Sequence, residues 1–519
     1  MRALAAFGSA FLFASLISRA AFAETRTVGT GKQHATLYEA IELVNPGDIV
    51  EVYDDQTITG DGLEPKRHGE PNAKITLRGM KNAQGKRPKI SGGAGKYGFT
   101  IFFQGNHWVF EGFEVTGGEQ ACIAQKANDL TIRDSVVHDC PRHGILGFDE
   151  ANGSLTLEYT EVYKCGLEAS GEALKHPVYV SSDPVPGRGF PGSVFRMHHC
   201  WVHDARDGNN VKSRAERNEI RYNWIEGAGY YELELIGPDL AEKDAAREDS
   251  EVIGNVFFKT NAKSDVVRIG GDGTGETNGR YRFLNNTFIL STQTQGLVRA
   301  NDGIESLEFS NNVAYRFGAS INSVFRSGEA RWKQGKPLIS GANNWFPEGS
   351  GDVPAEFTGT ILGKDPGFMS NSPLDLRPKP DSALVDKGTD NSPPAPNAPF
   401  PNPLALPASF PLQRALPAVG TVPNRPQTGA PDIGAYELNS DAPPGAPGSE
   451  TNQKAPPEGE GGGDDDAGTR PKRDLNACGC RAAGSGGERI ALVFAFAFAA
   501  AAYARRRTKA HARVDRERR

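Results

Sequence analysis

One short phrase recurs along the chain, and it constrains the fold more than any other feature. The phrase is an apolar residue, two variable residues, a small or amide residue, then two mostly apolar ones. It reads VFEGFEV at 109–115, IRDSVV from Ile132, LEYTEV from Leu157 and MHHCWV from Met197. It returns as IRYNWI from Ile220, VIGNVF from Val252, FLNNTF from Phe283 and FSNNVA from Phe309. Gly112, Ser135, Thr160, Cys200, Asn223, Asn255, Asn286 and Asn312 hold its fourth position, at intervals of 23, 25, 40, 23, 32, 31 and 26 residues. A period near 23–26 residues interrupted by insertions means one structural coil per repeat, with loops on one side.

Each repeat contains short alternating strands separated by Asn, Asp or Gly turns, with no sustained helical periodicity between them. Leucine-rich repeats would show their Leu and helix phrases, and a propeller would need about four strands per 40 residues. The pattern therefore predicts an all-β chain, a right-handed parallel β-helix solenoid. Asn223, Asn255, Asn286 and Asn312 are expected as ladder residues, each side chain bonding the next coil. HATLYEAIELV at 34–44 is the one good amphipathic helix of the body, followed after Asn45 by PGDIVEVYD. This opening resembles that of pectin-lyase-like β-helix proteins, which implies an N-terminal capping helix. The phrases KDPGFMSNSPLDLRPKPDSALVDKGTD and GAPDIGAYEL resemble the closing segment of secreted bacterial β-helix proteins.

The ends read as addresses. Arg2, the apolar run Ala3–Ile17 and Ala21-Phe22-Ala23 form a signal-peptide pattern over 1–23. The β-helix is assigned to 24–439. Residues 440–474 lack any Val, Ile, Leu, Met, Phe, Trp, Tyr or Cys, so they are read as an acidic Pro/Gly-rich disordered linker. In 475–519, Cys478-Gly479-Cys480, the apolar run Ile490–Ala504 and Arg505-Arg506-Arg507 resemble a MYXO-CTERM sorting signal. That resemblance implies export, engagement of membrane and sorting machinery, and display at the cell surface. Cys122, Cys140, Cys165 and Cys200 match no zinc spacing and are read as buried thiols or disulfides of undetermined pairing. Residues 24–439 carry 42 basic and 53 acidic side chains, a net of −11, which argues against nucleic acid as a partner.

The second strand of each repeat can be aligned on its inward apolar residue: HGILG, HPVYV, NNVKS, YELEL, DVVRI and GLVRA. The following residue points outward, which places Leu146, Tyr179, Lys212, Glu234, Arg268 and Arg299 in one column, on coils stacked about 4.8 Å apart. Two residues before the inward position stand His143, His176, Asn209, Tyr231 and Asp265. The insertions 181–193 and 237–250 flank this patch as groove walls would. An ordinary surface ion-pair ladder would look similar, with each pair worth about 0–1 kcal/mol.

The stretch DARDGNNVKSRAERNEIRYNWIE at 204–226 resembles the central coil of the chondroitinase B and alginate lyase family. The resemblance implies β-elimination on a uronic-acid polymer, with Lys212 as base beside Ser213. It implies calcium as cofactor, with Asp207 where a calcium-binding acid is expected; the carboxylate and amide oxygens clustered at Asp207, Asn209, Asn210, Glu232 and Glu234 are the candidate ligands. Position 205 is Ala where the family has a second acid, and YYELEL lacks the expected Arg, so Arg268 or Arg214 must stand in for it. Tyr179 or Tyr230 is the candidate proton donor to the leaving oxygen. Two alternatives stand beside this reading. One is a glycoside hydrolase using Glu232 and Glu234 as an inverting pair about 7 Å apart. The other is a non-catalytic, monomeric surface protein that binds glycan or another cell.

Overall fold

A computed structural model describes residues 23–93, 98–166, 175–237, 248–272, 277–294, 296–301, 303–327, 338–372 and 374–441. The signal-peptide pattern up to residue 22, most of the linker and the whole sorting segment lie outside these residues. So does the apolar run 490–504; among the described residues no helix is long and apolar enough to cross a membrane.

Among the described residues, strands assemble into three long sheets of 13, 12 and 9 members, every pairing in them parallel. From Ile75–Gly79 to Trp345–Pro347, successive strands visit the first, second and third sheets in rotation, so each neighbour within a sheet comes from the next coil. This is a right-handed parallel β-helix, the hand that parallel crossovers adopt. Apolar residues at alternate positions point inward and form one continuous core from Val28 to Phe357. The opening helix spans only Leu37–Ile41, shorter than the amphipathic stretch suggests. Thr36 caps it, and Leu37, Ala40 and Ile41 are buried in the core beside Val28 and Val50.

The amide ladder sits where the repeat phrase puts it. The backbone N–H of Cys200 donates to Asn223 Oδ1, that of Asn223 to Asn255 Oδ1, and that of Asn255 to Asn286 Oδ1, at 2.8–3.0 Å. Asn312 continues the column, and Asn344, outside the repeat phrases read above, adds a further rung. Each Nδ2 also donates to a carbonyl of the preceding coil, as Asn255 does to Ile220 O at 2.9 Å. These groups are fully buried, where an unpaired amide is costly. Cys122 and Cys140 form a disulfide, while Cys165 and Cys200 are buried thiols that burial pushes up to about 12.

After the antiparallel hairpin Phe368–Asn371 and Leu374–Pro378, the Pro-rich stretch turns back along the solenoid. Its backbone meets Asn311 at Thr389, Glu308 at Ala395 and Phe400, Arg282 at Asn402, and Tyr222 at Ala408. Arg414 then pairs with Glu226 on the second sheet, and Ile433, Ala435 and Tyr436 are buried with Trp345 and Phe410. Among the described residues none of this segment's hydrogen bonds reaches the third sheet, so the outer face of that sheet is left to other uses.

Replacing Asn255 by Ala removes bonds on both sides of one rung and leaves the Asn223 N–H buried without an acceptor. We expect a loss of about 3 kcal/mol, read as a lower guanidinium midpoint, whereas Ala at the exposed Glu119 should shift it little.

Candidate active site

The third sheet carries the candidate site, and its register brings the outward residues into line. Leu146 pairs with Tyr179, Tyr179 with Lys212, Lys212 with Glu234, Glu234 with Arg268, Arg268 with Arg299, and Arg299 with Arg326. Arg326 extends the column by one coil beyond the strands aligned from sequence.

Ordinary ion-pair ladders do occur on this protein, and they look different. On the first sheet, Glu51, Arg78, Glu111, Arg133 and Glu158 occupy successive coils in strict alternation. Each charge there has an opposite neighbour, at 2.5–3.7 Å. The third-sheet column does not alternate: Lys212, Arg268, Arg299 and Arg326 flank the single acid Glu234. Like charges on neighbouring coils repel by up to about 4 kcal/mol at 4 Å in a partly screened setting. Such an arrangement is poor for stability and good for holding an anion.

Glu234 is the centre of the patch and its most covered member. Its side chain is 6% exposed, against 12% for Lys212 and 11% for Arg268. Its carboxylate accepts from Asn209 Nδ2 at 2.6 Å, lies 3.5 Å from Lys212 Nζ, and pairs with Arg268 Nη1. On its other side, Lys212 Nζ lies 5.3 Å from the centre of the Tyr179 ring, within cation–π range. Arg268 also donates to Gly271 O at 3.0 Å, and through Nε and Nη2 to Asn301 Oδ1 at 2.7 and 2.8 Å once the Asn301 amide presents its oxygen.

The second column forms a ladder of its own. The N–H of His176 donates to His143 Nδ1 at 3.2 Å, that of Asn209 to His176 Nδ1 at 2.9 Å, and that of Tyr231 to Asn209 Oδ1 at 3.0 Å. Each rung accepts from the next coil's backbone, so both imidazoles are neutral with their proton on Nε2. Burial holds His143 down at about 4 and His176 well below its ordinary value. Their rings pack against Tyr179 with centroids 5.6 and 5.4 Å away. Further along, Asp265 reaches past Gly296 to pair with Arg326; a β-carbon at Gly296 would collide with the Asp265 carboxylate.

Four residues singled out from sequence stand apart from this patch. Arg214 is buried, donating to Gly237 O and pairing with Asp272, so its guanidinium is engaged away from Lys212. Glu232 is fully buried and accepts from Ala228 N at 2.9 Å and Asn210 Nδ2 at 2.6 Å. Desolvation raises it to about 7, a value that would suit a general acid in an open cleft. Here the cause is burial, which outweighs the opposing charge of Lys259; Lys259 itself donates to Ala228 O and Tyr230 O, so Glu232 serves the turn and does not pair with Glu234 across a groove. Ser213 also turns inward, bonding Asn218 Oδ1 at 2.5 Å. Asp207 is buried in the turn ahead of Asn209. Asn301 carried no sequence signal, because it lies just past the GLVRA strand and meets Arg268 only once the coils have stacked.

The residues expected to hold calcium do not fit it as arranged. The Tyr231 N–H fixes which end of the Asn209 amide is oxygen, so Asn209 turns a nitrogen toward Glu234 where calcium needs an oxygen. Glu234 is already matched by two cations, and Glu232 is spent on backbone and amide donors. Among the described residues, no group of three or more His, Cys, Asp or Glu could hold a metal ion.

His143 generates a pH prediction. Its folded-state value lies below the ordinary 6.5, so the neutral ring's contribution is complete above that pH and is lost as pH falls toward about 4. His143→Asn keeps an acceptor for the His176 N–H, as Asn209 does one coil on, but cannot titrate. The variant should lose less stability than the native chain between pH 6.5 and 4, by up to about 3 kcal/mol, measured by denaturation at stepped pH.

No protein-family model and no curated relative matches the sequence. Among solved structures, the chain is similar to pectate lyase Pel9A, with a TM-score of 0.51 and 14% identity, covering 80% of this chain and 96% of that one. It also matches an alginate lyase from Paenibacillus sp. str. FPU-7, with a TM-score of 0.41 and 15% identity over 59% of this chain and 99% of the other. A rhamnogalacturonan lyase gives 0.42 and 15%, over 64% and 90%. At these identities the likeness to Pel9A establishes the architecture, a parallel β-helix of the kind seen in pectate lyase.

Proposed function

We propose that this chain is an exported polysaccharide lyase acting on a uronic-acid polymer along the outer face of the third sheet. The observation that carries the reading is the unalternated cationic column, Lys212, Arg268, Arg299 and Arg326 on a body of net charge −11. An acidic protein that gathers four cations around one acid on five successive coils, with Arg326 also met by Asp265, favours an anionic chain laid along its axis.

In the proposed reaction, Lys212 Nζ in its neutral form takes the proton on the carbon beside a uronate carboxylate. The electron pair left behind forms a carbon–carbon double bond as the glycosidic carbon–oxygen bond breaks. The departing oxygen takes a proton from Tyr179, one coil before Lys212, and solvent restores both groups. Positive charge facing the carboxylate stabilises the charge that develops as the proton leaves. The pattern of residues 1–23 and the MYXO-CTERM-like terminus support export and surface display, where such polymers are met. The hydrolase alternative loses its proposed acid pair with the burial of Glu232.

The test is purified protein against polygalacturonate, alginate and glycosaminoglycans, followed by ultraviolet absorbance of the unsaturated sugar end that only elimination creates. We expect signal on a uronan and a fall of roughly 10²–10⁴ in kcat for Lys212→Ala with the fold intact. Silence across the panel from folded protein would sink the lyase reading.

A further inference from the structure

We infer that Arg268 supplies, from within the chain, the charge that faces a bound uronate carboxylate in place of a divalent cation, and that Glu234 is the positioning residue that sets Arg268 and Lys212 on either side of itself. This inference rests on the uronan reading above and concerns how that site is charged.

The argument starts from donors. A guanidinium has five N–H groups in a rigid plane. In Arg268, Nε and Nη2 are held by Asn301 and Gly271 O, and one Nη1 hydrogen is held by Glu234. The second Nη1 hydrogen has no partner among the described residues. Arg268 is therefore clamped on two edges, with one donor left over at the end nearest Glu234. Lys212 reaches the same carboxylate from the preceding coil with a single described carboxylate contact, which leaves further ammonium hydrogens.

Glu234 holds the pair by geometry as well as charge. The register puts Lys212 one coil before it and Arg268 one coil after it, so a single carboxylate spans both cations. The Asn209 amide, oriented by the Tyr231 N–H, fixes the carboxylate from below with Nδ2. The donor count then favours an anion from solvent: Lys212, Arg268 and an amide converge on one carboxylate, and the first two keep N–H donors to spare. A calcium ion at the same place would face the Asn209 nitrogen and two like-charged neighbours.

Three measurements on the purified chain test this. Binding of oligogalacturonate and oligomannuronate is measured by calorimetry with calcium and with EDTA; affinities should agree within about twofold, and Arg268→Ala should weaken them tenfold or more, with Arg268→Lys recovering part. Terbium luminescence sensitised by the nearby tyrosines should show no saturable site that Glu234→Gln removes. In Glu234→Gln, which keeps the side chain's shape but removes the charge that spans Lys212 and Arg268, KM should rise and kcat fall by about tenfold or more with the melting temperature unchanged; a purely structural role would lower the melting temperature and leave kcat in place. Binding that requires calcium, or a terbium site lost in Glu234→Gln, overturns the inference and leaves the lyase reading standing. Absence of any uronan binding or cleavage under either condition overturns both. Unmoved kcat and KM in Glu234→Gln overturn the positioning role of Glu234.

Discussion

Parallel hydrogen bonding between coils is the constraint on which the rest depends. Once a strand's N–H and C=O groups are matched to those of the next coil, every side chain is assigned a neighbour directly above and below. A residue type placed once per repeat then becomes a column, and its chemistry is multiplied along the axis. On the inner side that gives continuous apolar stacks; at one turn it gives the Asn223–Asn344 ladder. On the outer side it gives charge columns whose meaning depends on order.

That order separates scaffold from site. The alternation of Glu51, Arg78, Glu111, Arg133 and Glu158 cancels along the column and leaves little field. Lys212, Glu234, Arg268, Arg299 and Arg326 break the alternation, and the surplus is positive. The side chains beneath the surplus are the best tied: Asn209, His176 and His143 each accept a backbone N–H from the following coil, so the floor of the site is part of the sheet's own bonding. Rigid support of this kind lets Glu234 hold two cations without moving.

Burial also shows how perturbed acidity can mislead. Glu232 and Glu248 are both raised to about 7, and neither faces the column. Glu248 bonds Tyr281, Thr277 and Ser250 inside the solenoid, and Glu232 closes a turn with Lys259. Desolvation is the largest cause of both shifts, whereas Glu234, which does sit among the cations, owes its importance to position.

The amino-acid sequence by itself determined the coil, the Asn rungs and the column from Leu146 to Arg299, because each follows from a local period that any single repeat displays. It also exposed the polar stretch around Lys212, since unpatterned charge in mid-solenoid stands out against the repeat. Only the tertiary structure decided which way the acids turn. Glu232 and Glu234 are two residues apart, and strand alternation alone would put both outward. The turn that begins at Ala228 takes Glu232 inside, where a buried Lys259 from the next coil meets it. Likewise Arg214 is drawn to Asp272 and Arg268 to Asn301, partners on later coils and outside the strand phrases. Side-chain direction at a coil's corner is set by contacts between coils, and those contacts exist only after the strands have stacked.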